Sequence, residues 1–158
     1  MFGDLSQCIS EKGIAELTSI PKDLRIGTPA TISENYRNAR QITEYVNREF
    51  SMKMLAVGLN GKQEKVNMIP DLEIAQDDRV AIIVSGAPLV LNDFLRDHDV
   101  VFFDEQREIV RGAYNVISVA NVKGLEFEKA IVVLSGMTPN EQYVACTRAI
   151  QELYVIPS

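Results

Sequence analysis

Two stretches late in this chain could act together: Val122-Lys123-Gly124-Leu125-Glu126-Phe127, a glycine turn flanked by charge, and Tyr143-Val144-Ala145-Cys146-Thr147-Arg148-Ala149, which bears a single arginine. Together they read as a loop able to hold an anion, then a helix that carries an arginine to it. Lys123-Gly124 follows an apolar strand, at the edge where open α/β sheets bind ligands. Gly124 lets the backbone approach a phosphate closely. Glu126 can accept hydrogen bonds from a sugar hydroxyl or a neighbouring arginine. The ordinary alternatives are a plain strand-to-helix turn and an exposed helical Arg148. Arg37 falls in the first turn of an expected helix, where the macrodipole makes a cation mildly unfavourable. A phosphate site would resolve that conflict, since a helix N-terminus plus an arginine binds phosphate well. A solvated arginine is the ordinary alternative. Near the start, Gly3-Asp4-Leu5-Ser6-Gln7 follows an apparent strand end. There Asp4 can hold a metal-bound water and Gln7 a phosphate.

One further match is rejected. Val100 to Gln106 looks like the apolar strand and acidic pair that hold magnesium in nucleotide hydrolases. No phosphate loop of the form G-x-x-x-x-G-K-[ST] exists in the chain to complete it. Asp104 and Glu105 are therefore read as surface turn residues, and no metal ligands are assigned.

The elements that must position these residues alternate between short apolar runs and helical patterns, the signature of a parallel sheet covered by helices. Strands are expected at 30–33, 54–58, 80–85, 100–103, 116–120, 130–134 and 153–156, and helices at 11–18, 36–50, 89–96 and 139–151. In the helix at 36–50, Ala39, Ile42, Val46 and Phe50 form the buried stripe and Asn35 can cap the start. In the last helix, Thr138-Pro139-Asn140-Glu141 is a capping box with proline in the first turn. Tyr143, Cys146, Thr147 and Ile150 then share one face, with Arg148 turned away from it. Asn60-Gly61-Lys62 reads as a turn, and 26–29 as a loop entering a strand. Only Met1 and Phe2 precede the strand end at Gly3-Asp4, so the expectation is a chain cut inside a larger protein.

A length of 158 residues suits one domain. No apolar run is long enough to span a bilayer and no signal peptide opens the chain, so cytoplasmic residence and no membrane partner are expected. Cys8 and Cys146 match no metal or disulfide spacing and read as reduced, half-buried thiols. His98 sits in a charged stretch and reads as solvated. The net charge of −6 argues against non-specific nucleic-acid binding by the whole surface. The charge is uneven, however: Asp71 to Glu105 holds nine carboxylates against Arg79 and Arg96. The remainder is close to balance, which leaves room for a local DNA contact.

In order, GDLSQ, ENYR, VKGLEF and YVACTRA resemble motifs III, IV, V and VI of the superfamily 1 UvrD/Rep-like DNA helicases, and they spread over nearly the whole chain. That family has two RecA-like lobes with ATP between them, and this chain resembles the second, often called 2A. The resemblance implies a three-layer RecA-like (P-loop NTPase-type) α/β fold, with a mainly parallel sheet and helices on both faces. It implies that Gln7 senses the γ-phosphate and the magnesium water, and that Arg37 and Arg148 reach the γ-phosphate across the cleft. Glu126 would lie near the nucleotide, Tyr36 near the motif IV contact surface, and Lys123 and Gly124 would shape the loop that couples nucleotide to DNA. The implied cofactor is ATP with Mg2+. The implied partners are an N-terminal RecA-like lobe and single-stranded or partly duplex DNA.

Departures matter as well. The motifs of the first lobe are absent, so hydrolysis by this chain alone is not expected. The tryptophan that commonly follows motif III is missing too, and base stacking contributes roughly 1–3 kcal/mol per base. Too few residues separate Phe50 from Asn121 for a separate 2B-type subdomain. Two functions therefore stay open: a motor lobe of an ATP-dependent DNA helicase or translocase, and a non-catalytic protein-interaction module derived from one. An unrelated flavodoxin-like or nucleotide-binding α/β domain is a weaker third.

Overall fold

Apolar runs buried on both sides need cover on both sides, and the central strands obtain it. The computed structural model describes residues 34–158, apart from the side chains of Glu105 and Gln106. Its elements are β1 (Glu34–Asn35), α1 (Arg40–Phe50), β2 (Leu55–Ala56), β3 (Lys62–Lys65), β4 (Val80–Val84), α2 (Leu89–Asp97), β5 (Val100–Phe102), α3 (Phe103–Gln106), β6 (Tyr114–Ser118), a 3-10 turn (Val119–Asn121), β7 (Phe127–Val133), α4 (Pro139–Cys146) and β8 (Ala149–Ile156). Among the described residues, six strands form one sheet in the order β3-β8-β7-β4-β6-β5. All of its pairings are parallel. The expected α/β class with a parallel sheet is what the chain adopts.

Alternate residues of each strand feed two cores. Ala81, Ile83, Ile117, Ala130, Val132, Leu153 and Val155 face α1 and α4, meeting Ile42, Tyr45, Val46, Val144 and Cys146. Val80, Ile82, Val84, Val116, Ile131, Val133 and Ile156 face the other way, where Leu91 and Phe94 of α2 and Ile69 cover them. The period of two along each strand thus produces three layers.

Several expected boundaries move. Helix α1 begins at Arg40 with Ala39 at its N-cap, so Arg37 lies in the segment before the helix and not in its first turn. Asn35 caps that segment instead of the helix: its Oδ1 accepts the backbone N–H of Arg37 and of Asn38, each at 3.1 Å. The capping box of α4 is present as expected, but the helix stops at Cys146. Residues 149–151 belong to β8, which starts four residues before the strand expected at 153–156. The expected strand at 54–58 is reduced to β2, which pairs with β1 apart from the main sheet. The supposed turn at Asn60-Gly61-Lys62 runs into β3, a polar edge strand with no apolar signal to announce it. The elements expected at 11–18, 26–29 and 30–33, and the motif at Gly3 to Gln7, lie outside the described residues.

The half-buried thiol expected at Cys146 and the solvated His98 are also corrected. Cys146 is fully buried, and burial pushes its thiol well up from its ordinary pKa. His98 stacks on Phe94 with ring centroids 4.0 Å apart and lies 3.6 Å from an Asp71 carboxylate oxygen.

Candidate functional site

Three segments that are distant in sequence meet at the amino ends of β7 and β8. Glu126 immediately precedes β7 and Arg148 immediately precedes β8, and the two strands begin side by side, with Phe127 opposite Ala149. The segment from Asn35 to Ala39 lies against them. This is the edge opposite the one expected from the position of Lys123-Gly124. The reason is the path of the chain: β6 ends at the carboxyl edge, and residues 119–126 carry it back across the sheet to the start of β7.

The loop follows simple local rules. Val122 and Phe127 are buried anchors, and the Leu125 N–H donates to the Val122 carbonyl at 3.1 Å to close the turn. Gly124 takes a positive φ of 83°, where an L side chain is strained. Between the anchors, Lys123 and Gly124 are thrown outward and exposed.

Arg37 reaches into the cluster. Its Nη1 lies 3.2 Å from a Glu126 carboxylate oxygen, and its Nη2 donates to the Thr147 carbonyl at 3.1 Å. The Arg37 side chain is 41% exposed, so solvent or a ligand still reaches it. Arg148 differs. It is only 3% exposed, with Nε donating to the Val144 carbonyl at 3.0 Å and Nη2 to Thr147 Oγ1 at 3.2 Å. Helical geometry would have pointed it outward. The helix ends two residues earlier, and the chain turns there, with the Arg148 N–H donating to the Ala145 carbonyl. Both arginines thus converge on Thr147, one on its carbonyl and one on its hydroxyl. The Arg148 carbonyl in turn accepts the Phe127 N–H at 3.0 Å.

Tyr36 stays outside the cluster. It is 69% exposed, and its hydroxyl donates to a Glu34 carboxylate at 2.6 Å, which raises its pKa. Gln7 lies outside the described residues. Sequence reasoning missed Asn38, which is buried and donates through Nδ2 to the carbonyls of Thr147 and Ala149. A second asparagine three residues after Asn35 was its only signal. Asp104 is also more than a turn residue: its carboxylate accepts the Ser118 N–H at 3.3 Å and the Asn121 side-chain amide at 2.8 Å. It braces the start of the loop from the carboxyl edge, while Glu105 lies outside the described side chains. Among the described residues no group of three or more His, Cys, Asp or Glu gathers as metal ligands, and no helix is long and apolar enough to cross a membrane.

No protein-family model matches this chain, and no curated protein matches its sequence. Among solved structures it is similar to the C-terminal domain of a possible DNA helicase from Lactobacillus plantarum WCFS1, with 19% identity and a TM-score of 0.48 over 77% of this chain and 86% of that one. It is also similar to arterivirus nonstructural protein 10, a helicase, with 18% identity and a TM-score of 0.45 over 77% of this chain and 24% of that one. For PRRSV nsp10, a helicase, the values are 14% and 0.42 over 77% and 23%. The chain thus spans less than a quarter of each viral protein. With TM-scores below one half, these likenesses are too loose to give any residue here a role.

Proposed function

We propose that this chain is a C-terminal motor lobe of an ATP-dependent DNA helicase or translocase of the UvrD/Rep-like kind. It would supply arginines to a nucleotide held mainly by a separate RecA-like lobe. One observation carries the reading: Arg37, Glu126 and Arg148, marked independently in three ordered motifs, come together around Thr147. Arg37 and Glu126 fit a nucleoside triphosphate as they stand, a half-exposed guanidinium beside a half-exposed carboxylate. Bound ATP with magnesium would supply the phosphoryl group for transfer, and Arg37 would stabilise the charge that spreads over it. Glu126 would hold Arg37 until the phosphates arrive, then accept from the sugar or from the arginine itself. Arg148 must turn out of its buried position to reach a phosphate, so in this reading closure of the other lobe is coupled to release of its bond to Thr147. Lys123 and Gly124, exposed on the loop that ends at Glu126, would carry the nucleotide state to DNA.

The decisive experiment is Arg37→Ala in the complete polypeptide. Arginine fingers contribute about 10³-fold or more to turnover, so ATP hydrolysis stimulated by single-stranded DNA should fall by about that factor while the fold persists. Turnover near that of the wild type would sink the assignment.

The burial of Arg148 favours a second reading, in which the cluster is structural and the lobe is a non-catalytic interaction module. A wild-type polypeptide whose ATP hydrolysis rises on adding single-stranded DNA rejects that alternative.

A further inference from the structure

The two arginine-bearing segments are not held together by the arginines alone. Asn38 is 2% exposed, and both hydrogens of its side-chain amide are used: one on the Thr147 carbonyl at 3.0 Å, the other on the Ala149 carbonyl at 2.6 Å. These are the carbonyls on either side of Arg148. The Asn38 Oδ1 accepts from the Asn35 side-chain amide at 2.9 Å, which fixes the amide's orientation. The Ala39 N–H adds a bond to the Ile150 carbonyl at 2.7 Å. From the other side, Gly58 and Gly61 press the segment inward. A Cβ on Gly58 would stand 2.1 Å from the Asn38 carbonyl oxygen, and one on Gly61 would stand 2.4 Å from the Ala39 Cβ. The backbone next to Arg37 is therefore pinned to the backbone that bears Arg148, and one buried side chain supplies the two central bonds.

We propose that Asn38 is a positioning residue that sets the spacing and orientation of Arg37 relative to Arg148. Its catalytic consequence rests on the motor-lobe reading, but its structural content does not. Asparagine suits the task because it offers two donors and one acceptor in one plane without charge. Aspartate would set a carboxylate against two carbonyl oxygens, and alanine would leave the Ala149 carbonyl without its donor. A misplacement of about 1 Å in a catalytic group can cost as much as 10²-fold in rate, so a bracket between two such groups is a sensitive point.

The test compares Asn38→Ala with Asn115→Ala. Asn115 is equally buried and donates to the Val80, Val110 and Ala113 carbonyls, but it joins β4, β6 and the loop before β6. In the full chain, labelled with 15N, the Nε–H signals of Arg37 and Arg148 are assigned through Arg37→Lys and Arg148→Lys. Asn38→Ala should shift or broaden both signals, and Asn115→Ala should leave both in place. In the complete polypeptide, Asn38→Ala should lower kcat by about tenfold or more, with KM for ATP changed by less than about twofold, and Asn115→Ala should leave kcat unchanged per folded molecule. If Asn38→Ala does not fold, Asn38→Ser, which keeps one donor, gives the same comparison at smaller amplitude. Arginine signals unmoved by the Asn38 change, or moved equally by the Asn115 change, overturn the proposal, as does an unchanged kcat. If the wild-type polypeptide hydrolyses no ATP, the motor-lobe reading fails, and the arginine signals alone decide the bracket.

Discussion

Arg37 and Arg148 carry the same guanidinium into opposite surroundings, and that difference is measurable. The Arg37–Glu126 pair is more than a third exposed on both sides, a situation in which ion pairs contribute about 0–1 kcal/mol. Glu126→Ala should therefore change stability by no more than about 1 kcal/mol in urea unfolding, and a much larger loss would mean the pair is structural. Arg148 donates from a buried position to a carbonyl and a hydroxyl, and buried hydrogen bonds to charged groups contribute about 1.5–3 kcal/mol each. Arg148→Ala should cost at least about 2 kcal/mol in the same experiment; a cost like that of Glu126→Ala would show that the inward position is not populated. The sequence marked Glu126 by the glycine turn before it, Arg37 by its place at the start of an expected helix, and Arg148 by the helix expected to carry it. Their exposure was not visible. It depends on α4 ending at Cys146, and the apolar spacing of Tyr143, Cys146 and Ile150 suits a longer helix equally well.

The elements divide the same way. The start of α4 was readable because a capping box is a local pattern: Thr138 Oγ1 accepts the Glu141 N–H at 3.3 Å, and the Glu141 carboxylate accepts the Thr138 N–H at 2.8 Å. Its other end was not, since β8 is recruited by pairing with β7 and β3 and not by its own spacing. Thr138→Ala should cost about 1 kcal/mol, read by thermal unfolding, with no change in the contacts of Arg37. Strand β3 was missed because Lys62-Gln63-Glu64-Lys65 is polar throughout, as an edge strand open to water can be. What places it is Gly61, where an added Cβ would sit 2.2 Å from the Gln151 carbonyl oxygen. Both partners there are backbone or a packed alanine and cannot swing aside. Gly61→Ala should therefore destabilise by more than about 2 kcal/mol, and a neutral result would show that β3 and α1 part easily.

At the scale of the whole molecule, a parallel sheet in three layers was legible from alternating patterns, whereas the strand order and the gathering of the site at the amino edge were not. Both arise from a crossover that skips a strand: β6 and β7 flank β4 on opposite sides. The amino ends of β4 and β7 are then clamped by charge. Arg79 Nη2 lies 2.6 Å from Glu128, and Lys129 Nζ lies 3.0 Å from Asp78. Burial pushes the Glu128 carboxyl up, but hydrogen bonds from Arg79 and from backbone N–H groups outweigh it, and its pKa falls below the ordinary 4.5. The hydrogen bond from Lys129 is the main cause that lowers Asp78 below its ordinary 3.8. A carboxylate whose pKa is depressed by folding contributes stability above its unfolded pKa and loses it as pH falls through the folded value. The clamps should therefore hold fully at neutral pH and weaken progressively as pH drops below about 4.5. Glu128→Gln removes one clamp at every pH. It should be less stable than the wild type at pH 7, and the gap should narrow steadily as pH falls toward about 3. Urea unfolding of both proteins across that range checks it, and a gap independent of pH would mean that Glu128 acts through packing and not through its charge.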